Sequence, residues 1–146
     1  MSREESLGRT HRRFGWTALL VWMFGGLVLE LFHGIKLGHY LLDPLRRELW
    51  TLAHFHGALL SVVNLAYVRW AEAPGLRPRL ACARRALMAG SVLMPLGFLL
   101  GGLTHYEGDP GLGIFLAPIG ALALVYTAFV QTRAAWSPAA PDPEPR

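Results

Sequence analysis

The sequence predicts an all-α fold, a four-helix transmembrane bundle with both termini cytoplasmic. Three observations predict it: four apolar runs of membrane-crossing length, a composition poor in charge, and basic residues that alternate in density from one connection to the next. Of the 146 residues 53% are hydrophobic and 16% charged, with a positive mean hydropathy, which excludes an ordinary soluble domain. The runs are Phe14–Phe32, Leu49–Ala71, Ala86–Thr104 and Leu112–Thr132. Each is close to the roughly 20 residues that cross about 30 Å of hydrocarbon. They define one transmembrane domain over residues 14–133, between a basic N-terminal segment (1–13) and a proline-rich tail (134–146).

The first span is not expected to be a cleaved secretory signal, because it lacks a small-residue cleavage site and continues through Glu30, His33 and Lys36. The connection that follows, "HGIKLGHYLLDPLRRE", is amphipathic and broken by glycine, and either prolongs the first helix or lies in the interface. Asp43-Pro44 marks the break before the second span, with Asp43 as its N-cap. "EAPGLRPR" and "HYEGDPGLG" are turns before the third and fourth spans. Pro95 and Pro118 are expected to kink those helices. The tail "SPAAPDPEPR" is too polar and proline-rich to join the fold.

Basic residues fix the orientation. Arg3, Arg9, Arg12 and Arg13 precede the first span, Arg69, Arg77, Arg79, Arg84 and Arg85 surround the second connection, and Arg133 and Arg146 follow the fourth span. These segments share one side, and they hold eleven of the fourteen basic residues, so that side is cytoplasmic by the positive-inside rule. Only Lys36, Arg46 and Arg47 lie opposite. The net charge of +4 is accounted for by topology, and nucleic-acid binding is not expected. Trp16, Trp22, Trp50, Trp70 and Trp136 read mainly as an interfacial belt.

In this topology His33, His39, His54, His56 and His105 converge on the outer face, with Glu30, Glu107 and Asp109 near them; only His11 lies elsewhere. Glu30 precedes His33 by three residues and is placed to orient its ring. His54 and His56 fall inside the second span, where an ionisable side chain is a functional-site hypothesis by default. At 100° per residue they point about 200° apart, so they serve opposite helix faces and cannot share one metal. Either one ligates a cofactor, or each is buried by hydrogen bonding to Asn64 or a carbonyl.

Haem, most simply of b type, matches these features best. It is a flat apolar plate that takes neutral imidazole as axial ligand, and a helical bundle admits it where small residues let the backbone approach. Gly57 beside His56, Gly25-Gly26 in the first span, and Gly90, Gly97, Gly101 and Gly102 in the third supply such faces. The same glycines serve equally for tight helix packing, as in Gly97-x-x-x-Gly101. Arg46 and Arg47 are on the correct side to meet propionates. Cys82 has no Cys-x-x-Cys-His context for a thioether haem and no partner for an internal disulfide.

The stretch "LAHFHGALLSVVNLAY" resembles the His-x-His helix of the haem-copper oxidase large subunit, through Ala53-His54-Phe55-His56-Gly57. The resemblance implies that His54 matches the ligand of the oxygen-reducing haem and His56 that of the low-spin haem. It spans one helix, and the chain as a whole corresponds to one of the three four-helix arcs of that subunit. The family's copper-ligand His-Pro-Glu-Val-Tyr motif and adjacent His-His pair are not present in the sequence, so oxygen reduction at a haem-copper centre is not expected. Three copies around an axis would imitate the oxidase subunit, with haem between protomers. Pairing of a second-span histidine with His33 or His105 inside one chain is the alternative.

The sequence thus points to a bacterial inner-membrane haem protein for electron transfer or redox sensing, a haem-dependent oxidoreductase if it is an enzyme, exchanging electrons with a quinone or a redox partner. A second class is a copper-handling membrane protein using His33, His39, His105 and Glu107, whose imidazole and carboxylate donors suit such ions. None of the four methionines lies at that end, which counts against copper. A third class is a cofactor-free assembly subunit whose histidines only hydrogen-bond.

Overall fold

The computed structural model describes residues 3–71, 80–106 and 108–136. They form a long helix α1 (Arg3–Gly34), a single turn α2 (Gly38–Leu41), α3 (Pro44–Ala71), α4 (Leu80–Leu103) and α5 (Leu116–Ala135), the last preceded by a 3-10 turn, Leu112–Phe115. Four stretches, Gly8–Gly34, Pro44–Trp70, Ala81–Leu103 and Leu112–Ala135, are long and apolar enough to cross a membrane, which is the make-up of a multi-pass membrane protein. Helix α1 packs on α3, α3 on α4, and α4 on α5, so the principal interfaces join antiparallel neighbours in series.

The boundaries differ from expectation in informative places. The basic segment 1–13 is helical from Arg3 onward and continues α1, so the 32-residue helix is about 48 Å long and exceeds the hydrocarbon thickness. Pro118 falls in the first turn of α5, where the missing N–H has no intrahelical carbonyl to serve, so it starts the helix instead of kinking it. Pro95 does lie inside α4, fully buried. The connection after α1 neither prolongs that helix nor forms an amphipathic one of its own length; it turns at Lys36, which has φ 54, and closes with α2. Asp43 caps α3 as expected, its Oδ1 accepting the Arg46 N–H at 2.9 Å. The connection between α3 and α4, residues 72–79, for which a turn is expected, and the tail beyond residue 136 lie outside the described residues.

Lipid chains are as apolar as leucine, so helices in a bilayer associate by close backbone approach and by polar contacts. The seams follow that rule. Between α4 and α5, Gly97 meets the Ala117 backbone, Gly120 meets Met94, and Gly90 meets Leu124 and the Gly120 carbonyl, each without room for a Cβ. Between α1 and α3 the contact is reciprocal: the His54 imidazole lies on Gly26, and the Trp22 indole lies on Gly57. Gly15 receives Leu65 further along the same seam. The lipid-facing side of α1 is a run of exposed large apolar residues, Trp16, Leu20, Val21, Met23, Phe24, Leu27 and Leu31.

The reciprocal seat yields a prediction with an internal control. Gly57→Ala drives a methyl into the Trp22 ring and is expected to destabilise by about 1–3 kcal/mol. Gly25→Ala, whose Cβ would sit 4.0 Å from Trp22, should leave stability near wild type. Thermal unfolding of both variants in one detergent checks this.

Candidate functional site

The six histidines fall into three settings. His54 and His56, about three turns into α3, hold their rings against neighbouring helices. The His54 Nδ1–H donates to the Trp22 carbonyl of α1 at 2.7 Å, and the His56 Nδ1–H donates to the Leu52 carbonyl of its own helix at 2.8 Å. A carbonyl can only accept, so each bond places the proton on Nδ1 and leaves Nε2 with its lone pair. Backbone carbonyls are the usual partner for the non-ligating nitrogen of a metal-bound imidazole. The His56 ring stacks on Phe98 of α4 with centroids 5.1 Å apart. The two rings therefore serve opposite neighbours, α1 and α4, as their spacing requires. Asn64 hydrogen-bonds to neither; both histidines are satisfied by carbonyls.

His33, His39 and His105 occupy the opposite end of the fold from the chain's start, and they do not meet one another in a common donor set. His105 Nε2 contacts Asp43 Oδ2 at 2.5 Å, and the Arg46 guanidinium is 3.5 Å from the same oxygen. Arg46 also donates to the carbonyls of Gly102, at 3.0 Å, and His39, at 2.8 Å, and lies 5.8 Å over the Trp50 ring. This arginine ties the start of α3 to the end of α4 and to α2. Arg47 donates to the Leu41 carbonyl at 3.4 Å. Both arginines thus spend donors on the protein's own backbone instead of waiting for propionates. His33 is exposed, its Nδ1 donates to the Leu29 carbonyl at 3.2 Å, and its edge meets Tyr40, so Glu30 is not what orients this nitrogen. The His39 side chain is exposed, and Glu107 lies outside the described residues. Among the described residues no group of three or more His, Cys, Asp or Glu is gathered for a metal ion.

The glycines settle where a large flat group has no room. Gly57, expected to open a face for it, is covered by Trp22; Gly26 is covered by His54, Gly102 by Trp50, Gly101 by Ile114, and Gly90 and Gly97 by α5. These six glycines are spent on contacts between segments, while Gly25 stays open. Trp22 and Trp50 are half-buried and fill Gly57 and Gly102, with Trp50 donating its indole N–H to the Leu99 carbonyl at 3.2 Å.

The third setting was not legible in the spacing of the histidines. His11, which groups with the N-terminal arginines in the sequence, is 0% exposed and rests 5.5 Å from the Tyr67 ring. It is the most deeply enclosed imidazole of the chain, because α1 starts at Arg3, well before its apolar run begins at Phe14. The signal that finds it is the register of the α1–α3 seam, in which Gly15 opposes Leu65 and Gly26 opposes His54, so that His11 comes beside Tyr67.

These features define a multi-pass, four-helix membrane protein with two tautomer-fixed imidazoles inside its spans. No family model matches the chain, and neither does any curated protein or any solved structure.

The cap at Asp43 carries a pH prediction. The Arg46 backbone N–H, followed by His105 and the Arg46 charge, holds the Asp43 carboxyl below its ordinary value, against a smaller opposing effect of burial. A depressed folded-state pKa contributes stability that is present in full above the ordinary carboxylate value of about 4 and is lost as the pH falls below it through the folded value. Unfolding temperature measured between pH 6 and pH 3, in steps of about 0.5, should fall more steeply for wild type than for Asp43→Asn. Asp43→Ala, which removes the cap as well, should cost about 0.5–2 kcal/mol at neutral pH.

Proposed function

We propose that the chain is an integral membrane haem-binding protein of b-cytochrome type, which transfers electrons or senses redox state in a bacterial inner membrane with both termini in the cytoplasm. The observation that carries this reading is the state of His54 and His56: each has Nδ1 committed to a carbonyl and Nε2 left as a lone-pair donor inside a span. Neutral imidazole with a fixed tautomer is what axial ligation of haem iron uses. The donor chemistry of the two residues fits the group. Haem, when bound, supplies a one-electron couple whose potential follows its axial ligands and surroundings.

The chain's own residues constrain where that group would lie. Gly26, Gly57, Gly90, Gly97, Gly101 and Gly102 are filled by neighbouring segments, which leaves no room for a flat group at these six positions within one protomer. His105 is engaged with Asp43 and Arg46, and His33 with Leu29 and Tyr40, so neither is offered to a histidine of α3. The second axial imidazole therefore comes from another copy. The resemblance of residues 53–57 to the oxidase helix supports a homotrimer with His56 of one protomer facing His54 of the next. In this arrangement the Trp22 and Leu52 carbonyls hold the rings and raise their basicity, while lipid and a membrane quinol surround the assembly as solvent and exchange partner. Turnover, if any, is that of a haem-dependent oxidoreductase.

One other reading has a specific observation behind it. The His54 ring fits Gly26 and bonds the Trp22 carbonyl, which also describes a cofactor-free membrane subunit whose histidine locks two helices. Copper handling is favoured by none of the outer-end histidines, which are not gathered together among the described residues.

Oxidised and dithionite-reduced optical spectra of the detergent-purified protein, expressed with ample haem, separate these readings. Wild type is expected to show a Soret and a sharp α band that are lost or strongly broadened in His54→Ala or His56→Ala. Pyridine haemochrome should give a haem-to-chain ratio near one, in an oligomer. A colourless wild type, or a monomer that keeps its full haem content, overturns the proposal; copper analysis of the colourless protein then decides between the remaining readings.

A further inference from the structure

The end of the fold from which α1 starts contains a second buried cluster, independent of the histidines of α3. His11 of α1 and Asn64 of α3 are both 0% exposed. Neither ring nitrogen of His11 meets hydrogen-bonding geometry with another group among the described residues, and the same holds for Asn64 Oδ1 and Gln131 Oε1 of α5. Asn64 is near enough to act on the His11 ring, and Tyr67 joins the remaining members, touching His11 at 5.5 Å and accepting the Gln131 Nε2–H at 3.1 Å. Asn64 is the single asparagine of the chain and Gln131 the single glutamine.

The donors of both amides are already used. Asn64 Nδ2 donates to the Leu60 carbonyl and to Ser91 Oγ, each at 2.7 Å. Turning the amide over would set its oxygen against the Leu60 carbonyl, so Oδ1 has to be the group left over. A buried polar atom without a partner costs about 1–3 kcal/mol, and the four here belong to residues linked through Tyr67 and the α1–α3 seam. Clusters of this kind are the usual setting of an internal water molecule.

We propose that His11, Asn64 and Gln131 form an internal site for a small neutral hydrogen-bond donor, water itself, shared between α1, α3 and α5. The inventory selects this class. Two amide oxygens and one nitrogen of a neutral imidazole accept while its other nitrogen donates, so the guest must both donate and accept, and one water bonds two of the three acceptors while taking the imidazole N–H. Arg84 acts on both His11 and Tyr67 through its charge, which opposes a cation, and the two amide oxygens oppose an anion. Complete enclosure of His11 and Asn64 limits the guest to the size of water. The site links α1 to α5, which lie at opposite ends of the helix series, through α3.

The test uses the full chain in lipid bilayers, uniformly isotope-labelled so that Ala83 is assigned along with the side-chain amides. One asparagine and one glutamine give one amide signal each, so the signals identify themselves. Water-edited solid-state NMR should show polarisation passing from water to the Asn64 amide several-fold faster than to Ala83, an equally enclosed residue of α4 that has no polar side chain. In His11→Phe the ring that holds the guest is gone, and transfer to Asn64 should drop to the Ala83 rate. Slow transfer to Asn64 in wild type, or fast transfer that His11→Phe leaves unchanged, overturns the proposal. The wild-type comparison decides alone should that variant fail to fold.

Discussion

The reciprocal seat between α1 and α3 is the contact on which the rest of the candidate site depends. Each helix offers one glycine and one flat side chain: Gly26 receives His54, and Gly57 receives Trp22. In water such a pairing would be one packing detail among many. In lipid, where apolar surface gains nothing by leaving solvent, close approach and polar contact are the main sources of helix affinity. The seat supplies both, because the approach that lets the rings interlock also brings the Trp22 carbonyl within 2.7 Å of His54 Nδ1. Packing thereby fixes a tautomer.

The same constraint treats the two ends of the fold differently. At the His105 end the polar groups are paired, with Arg46 reaching His39, Gly102 and Asp43 and with Asp43 capping α3. An arginine with five donors in a planar fork is suited to holding three segments at once, and a lysine would not replace it. At the other end His11, Asn64 and Gln131 leave atoms over. A membrane interior makes that imbalance costly, and the two ends are therefore not equivalent in what they still require.

The spans and the Asp43 cap were readable because length, hydropathy and the Asx-Pro boundary are local signals. The opposition of His54 and His56 was readable because helical period alone sets it. What lay beyond the sequence was pairing between helices. A glycine in a span is compatible with a cofactor face or with a neighbouring side chain, and only the register shows that Trp22 occupies Gly57 and Trp50 occupies Gly102. His11 shows the same limit from the other side: its arginine-rich surroundings in sequence mark it as solvated, yet the early start of α1 carries it against Tyr67. Charge and side alone make Arg46 a candidate for propionates, and the partners it has in its own chain, two carbonyls and the Asp43 carboxylate, could not be read from the sequence.

Filled glycines also bear on how the imidazoles of α3 would act. A ring whose Nδ1 is held by a carbonyl has one nitrogen left, and that nitrogen can serve a ligand only where a ligand has space. Within the protomer that space has gone to Trp22, Phe98 and the helices behind them. On the proposed reading, ligation by His54 or His56 would need a surface made by more than one chain, with oligomerisation a condition of cofactor binding instead of a consequence of it. The principal interfaces run in series, α1 to α3 to α4 to α5, so α1 and α5 each pack on one long helix in these interfaces. Function at these two histidines and assembly of the chain are, on this argument, one physical question.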